Sequence, residues 1–145
     1  MEERPFYSNV TAAERATDYR SHHDREVMQA LVAAGALVAL SDGLLDDVER
    51  DVLVNFVDRQ GFVPTVAYRE IAEAFDISVW QIRRGGASPV VEALRPLAGL
   101  SLASIVVRTA GQVAAADRKI HPGELRTLKM IRLLMMTFPP LRRVN

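Results

Sequence analysis

Apolar positions along the chain recur with helical rather than strand spacing. From Val27 to Leu40 nearly every position is apolar or small, so this segment reads as a helix apolar on most of its faces and therefore central. Asp47 to Gln60 carries Val48, Val52, Leu53, Phe56 and Val57 on one stripe, and Gly61 supplies the stop. Phe62-Val63-Pro64 breaks the chain, and a third helix is expected from Thr65 to Phe75. A fourth starts at Ser88-Pro89, covers Val90 to about Leu97, and is kinked or ended by Pro96. Ser101 caps a helix over Leu102–Ala116. The last helix runs from His121 to about Thr137, with Leu125, Leu128, Met130, Ile131, Leu133, Leu134 and Met135 turned to the core. No segment alternates with period two between turn signals, so no sheet is expected. The fold class is all-α, a compact domain of six or seven helices.

The pattern also repeats. Ala33–Leu53 returns, degraded, at Arg108–Leu128, and one constant shift lays Asp42 on Asp117, Leu45 on Ile120, Asp46 on His121, Glu49 on Glu124 and Leu53 on Leu128. Each copy is an apolar helix, an acid-bearing elbow and a second helix, so two pseudo-repeated helix-turn-helix halves are expected, related by an approximate two-fold. Domain boundaries follow: a polar arm over 1–23, with Ser21 and Asp24 as a helix start, the helical domain over 24–138, and a tail over 139–145.

The elbows admit two readings. In the first they only cap helices. Gly43 suits the left-handed residue that closes a helix. Asp46 then caps the next one, with Glu49 three residues on to complete a capping box. In the second copy His121 is the cap, Pro122 the first helical residue, and Ile120 with Leu125 a hydrophobic staple. In the second reading the acids hold a divalent cation: calcium, magnesium, manganese or zinc. Asp42-Gly43 to Glu49 matches the latter half of an EF-hand loop, but Val38 and Leu40 stand where its earlier oxygen ligands belong, which excludes an EF-hand. A site would need both elbows to converge and pool Asp42, Asp46, Glu49, Asp117, His121 and Glu124, since gathered carboxylates either repel or collect a cation.

These two motifs, Ala-x-Ser-Asp-Gly-x-Leu-Asp-x-x-Glu-Arg and Ala-Ala-Ala-Asp-x-x-Ile-x-Pro-x-Glu-Leu, resemble the tellurite-resistance TerB family and TerB-like domains over roughly Glu26 to Met136. The chain departs from that pattern at Arg118, where Gly43 stands in the first copy, and at His121. The resemblance implies a compact helical protein of bacterial tellurite and stress-response operons. It implies a non-enzymatic interaction scaffold with a protein partner, such as a membrane-associated stress-response complex. It also implies that Asp42, Glu49, Asp117 and Glu124 are the residues for a cation or partner, with Asp46 and His121 secondary.

A rival pattern lies at 71–84. Ile71 to Arg84 has the rhythm of a DNA-binding helix-turn-helix, with Ala72 inside, Ile77 and Ile82 packing the pair, and Ser78 with Gln81 boxing the start of the second helix. Gln81, Arg83 and Arg84 would face bases and Trp80 would be a buried anchor. Against it, the usual turn glycine is Asp76, and Gly85-Gly86 cuts the recognition helix short.

Composition narrows the classes. The 145 residues suit one domain. At 49% apolar they can fill a core. Eighteen basic and 18 acidic residues cancel, which disfavours broad capture of nucleic acid or anionic membrane but not a local patch. The absence of cysteine excludes disulfides, thiolate metal sites and thiol catalysis and suits a reducing cytoplasm. No phosphate loop, His-Glu-x-x-His or Gly-x-Ser-x-Gly is present, so no enzyme is expected. His22-His23 point apart on a helix and make a poor ligand pair.

Overall fold

A computed structural model describes residues 12–41, 45–61, 63–116 and 121–137, with side chains from His23 onward. Six α-helices follow in order: α1 (Ala12–Ala39), α2 (Asp47–Gln60), α3 (Tyr68–Gly85), α4 (Ser88–Glu92), α5 (Ala103–Ala114) and α6 (Pro122–Met136). A 3₁₀ turn, Arg95–Leu97, joins α4 to α5. Among the described residues there are no strands.

The axis of the fold is α1, the longest helix, which spans about 42 Å at a rise of about 1.5 Å per residue. From Val27 to Ala39 every residue except Gln29 is buried. Ala30, Ala33, Ala34, Ala36 and Ala39 keep the helix thin, so α2, α3, α5 and α6 all pack on it. One close approach is at Gly35. A Cβ there would lie 2.7 Å from both methyls of Leu53, so α2 occupies the space a side chain would need.

The duplication is visible in the helix ends. The shift that superposes the two motifs also carries the last residue of α1, Ala39, onto that of α5, Ala114, and the first residue of α2, Asp47, onto that of α6, Pro122. The N-caps Asp46 and His121 keep the same offset. Val38 and Val113, which the shift superposes, are both completely buried. Within each half the paired helices pack together, and α1 packs on α5 across the halves, with α1 also on α6 and α2 on α5. Inserted between the halves, α3 covers α1 and α2.

Ala12 to His23, which contains good helix formers and neither Gly nor Pro, is helical and continuous with the rest of α1. Three expectations are corrected. Asp24 starts no helix: it is buried, and its Oδ2 accepts from Thr65 N (3.0 Å) and Thr65 Oγ1 (2.8 Å), pinning the α2–α3 loop. The break expected at Asp76 is also missing, and α3 runs without interruption to Gly85. Leu125 and Leu133, finally, are exposed on the outside of α6, and Val48 on α2. Pro96 acts as expected, confining the chain after α4 to a 3₁₀ turn. Gly99 then takes a positive φ of 72°, which glycine adopts at no steric cost. Its N–H donates to Met135 O at 2.8 Å, tying that turn to the end of α6.

Candidate functional site

The two elbows place their acids in different ways. Asp46, extended at the N-cap of α2, accepts from Val48 N through Oδ1 at 3.0 Å. That bond satisfies one open donor of the first turn. At the start of α6 the bond runs the other way. Glu124 Oε1 accepts from the backbone N of His121 at 2.9 Å, the half of a capping box contributed by the third helical residue. Gly61, with a φ of 71°, closes α2 as expected.

Glu49 and Glu124, superposed by the repeat, are both buried, at 3% and 0% exposure. Neither the capping-box role expected of Glu49 nor the ligand role of both glutamates requires burial. The signal was present. Leu53 and Leu128 follow them by four positions, and in a helix that spacing puts glutamate and leucine on one face. Glu124 Oε2 has no hydrogen-bond partner. A buried acceptor without a partner costs about 1–3 kcal/mol, so it calls for an explanation.

The elbows are also close in space. A Cβ on Gly123, in the first turn of α6, would lie 2.8 Å from the carbonyl oxygen of Ser41, just past α1. The chain leaving the first hairpin's long helix therefore touches the second hairpin's helix start. Asp42 and Asp117 lie outside the described residues, as do Gly43, Leu44 and the stretch from Arg118 to Ile120, including the staple residue Ile120. Among the described residues no three His, Asp or Glu side chains gather where one ion could touch them all. Asp46, Glu49, His121 and Glu124 are thus not a closed ligand set by themselves.

The end of α3 differs from the sequence reading. Trp80 is 59% exposed rather than a buried anchor. The Arg84 guanidinium stands 4.9 Å from its ring centroid, within range of a cation–π contact. Ile77, one turn before, is exposed too. Ile71 to Arg84 form part of one helix, so the two-helix unit that would set a recognition helix into the major groove is not formed. Two features favour the single helix, one local and one from a neighbouring helix. Tyr68 to Arg84 contains no Gly or Pro, and Asp76 is held by Arg50 of α2 through two parallel bonds of 2.9 Å. That carboxylate pushes the Arg50 pKa further up. At the other end of α3, Glu70 is held below the usual glutamate range by the Ala67 N–H and by Arg25, which donates from Nη2 at 2.6 Å.

Among the described residues no helix is long and apolar enough to cross a membrane. Comparison with protein-family models, with curated proteins and with solved structures gives no match.

Proposed function

We propose that the protein is a TerB-like, non-enzymatic module of a bacterial stress or tellurite response, working in the cytoplasm as an interaction scaffold whose paired elbows take up a divalent cation. One observation carries the cation reading. Glu124 is wholly enclosed, one of its oxygens is unpartnered, and it stands beside the first elbow, where Ser41 meets Gly123. A cation would supply the missing partner. Glu124 would then act with Asp42 and Asp117 and with Glu49, while Asp46 and His121 are secondary. A set made mostly of carboxylate oxygens suits magnesium, calcium or manganese; a histidine ligand would favour manganese or zinc. The exposed stripe Ile77, Trp80 and Arg84 supports the scaffold half of the reading, since tryptophan and arginine dominate protein contacts.

The test is thermal unfolding and calorimetry of the whole chain with each of the four ions. A ligand at about 100 times its Kd stabilises by about 2.7 kcal/mol, which for a domain of this size raises Tm by about 5–10 °C. That rise should vanish in Glu124→Gln, which keeps an oxygen for the His121 N–H but loses the anionic ligand. No rise with any ion, or an equal rise in the variant, removes the cation and leaves two capped helices.

A further inference from the structure

We propose that the outer face of α6 is a docking surface for an anionic lipid bilayer, on which the protein lies peripherally. The core side of α6 is made by Glu124, Ile131 and Met135. On the opposite side Leu125, Lys129, Leu133 and Met136 follow one another at intervals of four, four and three positions, which is a single helical stripe. Arg126 and Arg132 flank that stripe, about 60° to either side of Lys129 at about 100° per residue. Leu125, Leu133 and Met136 are 47%, 68% and 69% exposed. All three cations are exposed. A soluble surface helix normally turns such apolar residues inward. Here the helix is apolar on both sides, with cations set among the outer leucines.

The surroundings carry the same sign. From Ala93 to Ala116 the chain contains no acid, and within α6 the one acid is the buried Glu124. Zero net charge therefore hides a division. After residue 99 the sequence holds eight lysines and arginines against two acids, and the excess of acids lies before it. Such a molecule is oriented by an anionic surface although it is neutral overall. Beside α6 an apolar groove of about 550 Å³ runs under Leu100, Val107, Arg132 and Met136, extending the apolar footprint to α5.

A bilayer fits better than a peptide. The hollows on this face, one under Arg132 and Met136 and one under Arg126, Lys129 and Leu133, are shallow and open rather than enclosing, and the exposed leucines and methionine stand among three cations and no exposed acid. A deformable apolar layer under anionic headgroups satisfies both, because arginine and lysine stems lie along the interface while their charged ends reach the headgroups.

The experiment is vesicle flotation with the full chain. Phosphatidylcholine vesicles containing about one-third phosphatidylglycerol should carry the protein up the gradient, and pure phosphatidylcholine should not. Binding should weaken as salt is raised. Leu133→Ser with Met136→Ser, and separately Lys129→Glu with Arg132→Glu, should each weaken it about tenfold or more, since each buried side chain or surface cation contributes about tenfold or somewhat less. These positions are exposed, so circular dichroism should show both variants folded with little change in Tm. Trp80→Ala, on another face, should float like the parent. Equal flotation with neutral vesicles, none at low salt, or insensitivity to both double variants overturns the proposal. So does sedimentation velocity showing a dimer that Leu133→Ser abolishes, which gives the face to a second copy. Tighter binding of an acidic leucine–glutamate helix than of vesicles likewise overturns it, and gives the face to a protein.

Discussion

Two glycines, Gly123 and Gly111, show how much a single position depends on what lies across from it. Both are helical, and a propensity scale would treat them alike. A Cβ on Gly123 would press on the Ser41 carbonyl, whereas nothing stands within 4 Å of one on Gly111. Gly123→Ala should therefore cost about 1–3 kcal/mol by forcing the elbows apart. Gly111→Ala should stabilise by about 0.5–1 kcal/mol. Urea denaturation of the two variants checks both signs. Trp80 gives a second test at this scale. Because it is exposed, Trp80→Ala should change stability by less than about 1 kcal/mol, mostly the lost stacking with Arg84, where a buried tryptophan would cost about 3–5 kcal/mol. As the sole tryptophan, it should also show solvent-exposed, readily quenched fluorescence in the native protein.

At the scale of elements, α3 is the informative one. Its sequence rhythm allowed two short helices with a turn at Asp76, yet no Gly or Pro interrupts it there, and a residue of another helix adds a second constraint. Arg50 holds the Asp76 carboxylate from α2, making that residue an inter-helix clamp. The side chains of Arg50 and Asp76 are 31% and 58% exposed. Their clamp is therefore discounted for solvent screening. A double-mutant cycle with Arg50→Ala and Asp76→Ala should give a coupling of about 0.5–1 kcal/mol that shrinks as salt is added. No coupling would mean that helix propensity alone carries α3 through Asp76. The elbows behave differently. Asp46 and Gly61 do what their residue types dictate, because caps and left-handed stops are settled within one turn of chain.

For the whole molecule, the packing of α1 against α3 sets an acid sensitivity. Arg25 of α1 and the Ala67 N–H hold Glu70 below its ordinary range. A depressed carboxyl stabilises the fold at pH values above its unfolded pKa, about 4.3. That contribution is lost as pH falls from there through the lowered folded value. Stability measured by urea titration between neutral pH and about pH 3 should fall in that window, and Glu70→Gln should flatten the fall. The same scale separates what was legible in the chain from what was not. Residue order by itself determined the helical class, the duplication of the elbow hairpin, the cap at Asp46, the stop at Gly61 and the start of α6 at Pro122, because periodicity, capping and backbone freedom are local properties. Tertiary packing decided that Ser41 meets Gly123 and that Trp80 and Leu133 stay outside; it selected for Glu49 and Glu124 the face their leucines at four positions on already pointed to, and at Asp76 it added the Arg50 clamp to a stretch free of Gly and Pro. Each of those depends on which helix stands opposite, and apolar spacing tells a helix which faces it could bury but not which of them a neighbour will cover.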